Sequence, residues 1–368
     1  MPERREIRCL GIEARGRAFI WTYLEEPVGN GEFQLETLYS GFSAGTELTF
    51  FNGTNPHLRG GWNDQLGVFD PRAPATSYPV PFLGYMEVGR VIASRTSTVG
   101  VGEVVAMTYG HKTGHSAVAD REFFVRLPGE LDPLLGIYAA QMGPICANAL
   151  LHAAADVHGS GALGLADGVR GRHVLVTGAG VVGLLTGLWA RHLGAKEVAV
   201  ADATPERLAA VEALGLVPVD DSEGTAWRLV KDRWPHEAAD CGADVVFQCR
   251  ARGSALATAL RALRPQGTVI DLAFYQEGLP EVRLGEEFHH NGLSIRSAQI
   301  SRVPRGLAFQ WDRARLANET VSFLRACGEL VLAHLITAVI PFEEAPAFVA
   351  SLATREQHAI QSVFKVAA

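Results

Sequence analysis

Val174-Leu175-Val176-Thr177-Gly178-Ala179-Gly180-Val181-Val182-Gly183 decides the fold. A short buried strand runs into three glycines at the spacing G-x-G-x-x-G, and residues 181–193 continue as a helix. Gly178 permits the tight turn, Gly180 lets backbone N–H groups approach a pyrophosphate, and Gly183 lets helix pack closely on strand. The helix start, Val181-Val182, turns about half a positive charge toward such an anion. A second strand, 198–201, leads to Asp202, 19 positions beyond Gly183. An acid there accepts hydrogen bonds from both hydroxyls of an adenosine ribose and repels a 2′-phosphate. No basic residue adjoins it before Arg207, so NAD(H) is expected in preference to NADP(H). Two plainer readings stand beside this one: a tight strand–helix turn without ligand, and a capping role for Asp202 before Thr204-Pro205.

Working outward, strands at 244–247 and 268–270 alternate with amphipathic helices such as 205–214. That alternation implies a parallel, doubly wound α/β sheet. The first ~130 residues differ: they are rich in Gly, Pro, Thr and aromatics, with period-two stretches such as Phe33-Gln34-Leu35-Glu36-Thr37-Leu38. Residues 54–80 interleave Trp62, Phe69 and Tyr78 with turn formers and read as a long ordered loop of the kind that often serves as a lid. Helical sequence begins near residue 134 and runs to 155. The tail after about residue 305, with a helix at 313–327 and a strand at 362–366, is expected to return to the first domain.

Composition removes other classes. The 368 residues suffice for about two domains, and 40 acidic against 33 basic residues give −7, which argues against a nucleic-acid binder. No apolar run approaches a bilayer span, and the first residues lack the apolar core of a signal peptide, so a cytoplasmic protein without membrane contact is expected. Five scattered cysteines fit neither a disulfide scaffold nor a zinc module and read as buried thiols.

Several further motifs resemble the medium-chain dehydrogenase/reductase superfamily almost end to end. They are Ala44-Gly45-Thr46-Glu47-Leu48, Leu83-Gly84-Tyr85-Met86-Glu87-Val88-Gly89-Arg90-Val91, Val101-Gly102-Glu103-Val104-Val105 and, near the end, Pro341-Phe342-Glu343-Glu344-Ala345. The resemblance implies a GroES-like, mostly β catalytic domain (1–143 and 306–368) interrupted by a Rossmann domain (144–305). Zinc members place Cys, His and a Glu or Cys where this chain has Ala44, Tyr85 and Gly143. Catalytic zinc needs three side-chain ligands, so no zinc is expected, and the four-cysteine lobe of a structural zinc is missing too. Ser40 to Glu47 and Gly84-Tyr85 look like the bacteriochlorophyllide dehydrogenase-like branch.

Without the metal, a hydrogen-bond donor must serve the substrate oxygen. The resemblance puts Tyr85 at the position of a zinc-ligating His and makes it the first candidate; Thr46, matching the hydroxyl of the family's proton relay, is the second. His111 and His115 are placed near the substrate, with His115 the third catalytic candidate. Glu47 and Glu87 read chiefly as ion-pair braces. Arg252, in Arg250-Ala251-Arg252-Gly253, and Trp62 are candidate substrate contacts. The implied activity is zinc-independent, NAD(H)-dependent interconversion of a secondary alcohol and a ketone, by a homodimer. A quinone or enone reductase, and a cofactor-binding module without turnover, are the alternatives.

Overall fold

In the computed structural model, which describes residues 4–366, the strand that opens the fingerprint is His173–Thr177. It lies inside a six-stranded parallel sheet with the spatial order Val217–Asp220, Glu197–Asp202, His173–Thr177, Ala243–Gln248, Leu263–Asp271, Ser294–Ser297. Numbered along the chain this is 3-2-1-4-5-6, the order whose reversal point opens a ligand crevice beyond the carboxyl ends of the first and fourth strands. Helices Val181–His192, Pro205–Ala213 and Gly253–Ala262 make crossovers. They cover both faces of the sheet, which is why Val174-Leu175-Val176 and Val198-Ala199-Val200 are unbroken apolar runs. Leu175, Ala199, Val246, Leu260 and Val269 meet in one core.

This unit runs Met142–Leu335, which corrects the expected return at residue 306. The reason is helix Arg313–His334, longer than the 313–327 read from sequence. Asp312 caps it, accepting a hydrogen bond from the Arg315 N–H at 2.8 Å. The face carrying Leu316, Phe323 and Leu324 is buried, and the Phe323 ring stacks on Trp189 with centroids 4.4 Å apart and planes 9° from parallel. The apolar stripe of the helix thus finds its partner on Val181–His192, inside the nucleotide-binding unit.

The other unit comprises Met1–Gln141 and Ile336–Ala368. Its antiparallel core strand is Glu32–Phe42, paired with Glu87–Ser94, Gly114–Val118 and the tail strand Gln361–Lys365. Beyond these lie Val104–Met107 and Val125–Arg126 on one side and Ile336–Pro341 on the other. Phe42, Phe51, Leu83, Phe348 and Phe364 fill a core that binds the tail to the first residues of the chain. The segment 54–80 is not a structureless loop, for it holds the turn Pro56–Leu58 and the hairpin Gly61–Asn63 with Val68–Asp70. No helix among the described residues is long and apolar enough to cross a membrane.

Replacing Phe323 with Ala removes the stacked partner of Trp189 from a closed core. The expected cost is about 3–5 kcal/mol of unfolding free energy, measured by denaturant titration. A loss below 1 kcal/mol would mean that the helix does not rest on this contact.

Candidate functional site

The nucleotide-binding unit offers a cradle at the end of strand His173–Thr177. Gly178 has φ of 99°, which its turn requires, and its N–H donates to the Ala201 carbonyl at 2.7 Å. A Cβ on Gly183 would sit 1.8 Å from the Gly178 carbonyl oxygen, so only glycine lets helix and turn meet this closely. Gly180, the N-cap of the helix, faces open space, and its cap position carries no side-chain hydrogen bond. The N–H groups of Val181, Val182 and Gly183 stand in the first turn, where a helix has no partners of its own for them. An open glycine face, unpartnered donors and a helix N-terminus together fit a dinucleotide pyrophosphate.

Asp202 is buried at the end of the second strand. Its Oδ2 accepts from the Ala179 N–H at 2.8 Å and its Oδ1 from the Thr204 N–H at 2.9 Å. Asp202 does not cap the helix, whose N-cap is Thr204; it closes a turn ahead of it, and the same carboxylate ties the glycine turn to the second strand. Arg207 Nη1 stands 3.8 Å from Oδ2, close enough to soften the negative charge. Arg250 borders the same turn, since its Cβ is 2.8 Å from where a Gly178 Cβ would lie. Arg252 follows as the exposed N-cap of Gly253–Ala262.

Sequence reading missed a polar group at the carboxyl ends of the first, fourth and fifth strands. Thr177 Oγ1 donates to Gln248 Oε1, and Gln248 Nε2 donates to the Arg250 carbonyl at 2.8 Å and the Tyr275 hydroxyl at 3.1 Å. Burial pushes both the Asp271 carboxyl and the Tyr275 phenol upward. The available signal was position: ligands of such sheets bind at strand carboxyl ends.

In the β unit, helix Ala44–Asn52 begins after Ser43. The Tyr85 hydroxyl donates to Ser43 Oγ at 2.5 Å, with the Thr46 side chain as a second hydrogen-bond partner. Tyr85 and Thr46 are thus neighbours. Burial and the nearby Glu47 charge raise the phenol's pKa, and the two hydroxyl hydrogen bonds oppose that rise. Ser43 was not singled out from sequence.

Behind these hydroxyls lies a buried chain of polar groups. Glu47 Oε1 accepts from the Ser43 N–H at 2.7 Å, and Glu47 Oε2 lies 2.6 Å from His111 Nε2. His111 Nδ1 is 2.6 Å from Ser40 Oγ, which donates onward to Glu87 Oε1 at 3.1 Å. Glu87 Oε2 accepts from the Tyr109 N–H at 3.0 Å. Burial raises the Glu87 carboxyl to about 7 despite the attraction of His111. For His111 burial disfavours the charge, but Glu47 outweighs it and holds the imidazole above its ordinary range.

His115 lies elsewhere. Its Nε2 is 2.8 Å from Glu122 and its ring stacks on Tyr109 at 4.8 Å. His111, its neighbour in sequence, is the histidine that joins the site. Trp62 is 42% exposed on the short hairpin, edge-on to Phe69 at 5.3 Å.

The residues at the positions of zinc ligands do not fit a catalytic zinc. Ala44 and Gly143 carry no donor, so Tyr85 alone of the three positions offers an oxygen where a catalytic zinc needs three side-chain ligands. Glu47 and His111 bond to each other, to Ser40 and to the Ser43 N–H.

Residues 181–310 match the family described as zinc-binding dehydrogenase. D-guloside 3-dehydrogenase of Shigella flexneri is 24% identical over 335 residues, 88% of this chain and 89% of that one. Alcohol dehydrogenase from Thermotoga maritima shares the fold with a TM-score of 0.74 at 17% identity, over 98% of this chain and 99% of that one. A chain from Sinorhizobium meliloti, described as a zinc-binding dehydrogenase and solved with NADP, gives 0.71 at 17% identity, again over 98% and 99%. Residues 181–310 thus carry the likeness to zinc-binding dehydrogenases, and the chain shares its fold with the two solved dehydrogenases.

Proposed function

We propose that the chain is a zinc-independent, cytoplasmic oxidoreductase that uses NAD(H) to interconvert a secondary alcohol and a ketone. The substrate class favoured is a sugar derivative or polyol, the class to which the D-guloside 3-dehydrogenase similarity points. The observation that carries the reading is the Tyr85–Ser43 hydroxyl couple, a proton-handling pair in a chain that also holds a complete dinucleotide fingerprint. The likeness of residues 40–47 to the bacteriochlorophyllide dehydrogenase-like branch rests on those motifs alone.

When bound, the nicotinamide accepts a hydride from the alcohol carbon or returns one to the carbonyl carbon. The chain's own groups do the rest. Gly180, Val181, Val182 and Gly183 present N–H donors to the pyrophosphate, and Asp202 accepts from the ribose hydroxyls. Tyr85 holds the proton exchanged with the substrate oxygen, and Ser43 and Thr46 steady the phenolate left behind. Trp62 offers an aromatic face to the apolar side of a sugar ring, and Arg252 a charge for an anionic substituent.

Two titrations and one variant test this. NADH should bind at least about tenfold tighter than NADPH by fluorescence, one charge repulsion's worth, and Asp202→Asn should narrow that gap. Equal affinities in the parent protein would remove Asp202 as the selector, and Arg207 would then be the residue compensating a 2′-phosphate.

Among alcohols, ketones and enones followed at the nicotinamide absorbance band, turnover of sugar alcohols and their ketones is expected. Tyr85→Phe should lower kcat roughly 10²–10⁴-fold, and a chelator should leave the parent rate unchanged. Turnover of enones alone would favour a double-bond reductase. A Tyr85→Phe enzyme at full rate would take the phenol out of the chemistry.

We also propose a homodimer, paired through the exposed edge strand Ser294–Ser297. Light scattering on the eluted protein should give twice the chain mass, and Ile295→Lys should halve it.

A further inference from the structure

Glu47, Ser40, His111 and Glu87 come from separate stretches of one unit and are each at most 3% exposed. Among the described residues no Lys or Arg forms an ion pair with either carboxylate; His111 is the cation for both. With Glu87 ionised, the Ser40 hydroxyl proton goes to Glu87 and His111 Nδ1 donates to Ser40 Oγ. His111 Nε2 lies 2.6 Å from a Glu47 carboxylate oxygen, and in that state both ring nitrogens carry protons, as an imidazolium. With both carboxylates ionised the group carries one net negative charge, and one further proton neutralises it.

The surroundings add few other charges. Phe42 and Phe364 cover the imidazole at 5.8 and 5.2 Å between centroids. Tyr109 packs behind Glu87, its phenol bonded to Thr37 at 2.7 Å and pushed up by burial, with the Arg5–Glu25 pair acting on it from the first hairpin. On the helix side stand Ser43, Thr46 and Tyr85, the last bonded to the serine whose N–H Glu47 holds. Charge on Glu47 and Glu87 both act on the Tyr85 phenol, in the direction that keeps its proton on.

We propose that Glu47, His111 and Glu87 are positioning residues, a buried relay that takes up or releases one proton and thereby sets how readily the Tyr85 hydroxyl gives up its own. The proposal rests on the reading of Tyr85 as the proton donor and deepens it. In the reducing direction a hydride from reduced nicotinamide joins the carbonyl carbon, the phenol O–H breaks, and its proton completes the alcohol. The Ser43 hydroxyl then turns to donate to the phenolate, which water reprotonates. A protonated Glu87 leaves the relay neutral and favours this step; an ionised Glu87 opposes it and favours the reverse. Oppositely signed substitutions should therefore move Tyr85 in opposite directions, which a mere brace would not do.

The test reads Tyr85 without substrate or cofactor. The ultraviolet phenolate titration of the whole protein, less that of Tyr85→Phe, gives the Tyr85 midpoint. Glu87→Gln, the same shape without the charge, should lower it by about one pH unit, and His111→Gln should raise it by a similar amount. Circular dichroism checks folding, and either variant alone decides if the other does not fold. With a substrate in hand, kcat for ketone reduction should fall as pH rises through about 7 in the parent and stay level in Glu87→Gln, with KM little changed. An unmoved phenolate midpoint, or shifts of one sign in both variants, overturns the relay. Absence of any alcohol or ketone turnover would instead overturn the proposed function, because the cofactor-free titration still reports on the relay.

Discussion

Two carboxylates inside a β unit impose the governing constraint. An isolated ionised carboxylate taken out of water costs several kcal/mol, so Glu47 and Glu87 stay buried only because every oxygen has a partner. One imidazole, one serine hydroxyl and the N–H groups of Ser43 and Tyr109 supply those partners. That set fixes the start of helix Ala44–Asn52 relative to strand Glu87–Ser94 and to the segment around His111. Tyr85, Ser43 and Thr46 inherit their positions from it. The hydroxyl cluster is therefore held by a polar core, whereas the nucleotide cradle is held by close backbone packing at glycine.

The second constraint is steric. Gly183 has no room for a Cβ, so helix Val181–His192 starts where strand His173–Thr177 stops, and Asp202 ties the turn to the neighbouring strand. The 3-2-1-4-5-6 order then opens its crevice beside that turn, bordered by Gln248, Arg250 and Tyr275. Here a local sequence motif and a global topology agree, which is what a sequence that specifies one fold looks like.

Agreement of this kind governs what was legible. The fingerprint, the alternating strands and helices and Asp202 could be read because each signal lies within about 30 residues of its partner. Tyr85 with Thr46 came only through family resemblance. His111 could not be separated from His115 by inspection: both sit in Gly110-His111-Lys112-Thr113-Gly114-His115, and the acid that selects His111 is 64 positions away in sequence. Residues 306–335 were misread for a similar reason. Helix Arg313–His334 has an apolar stripe that any core would accept, and only the stack on Trp189 says which core takes it.

The inserted arrangement also sets an order of events during synthesis. Strand Glu32–Phe42 must wait for Gln361–Lys365, the last strand of the chain, before that edge of its sheet is complete. Residues 142–335 lie between them, and at ~5–20 residues per second a ribosome needs about 10–40 s to make that length. The nucleotide-binding unit, all its strands being consecutive in the chain, has everything required to close while the host sheet still lacks the strands Ile336–Pro341 and Gln361–Lys365. The open edge of the host in that interval is where a nascent chain would need shielding, whatever the stability of the finished protein.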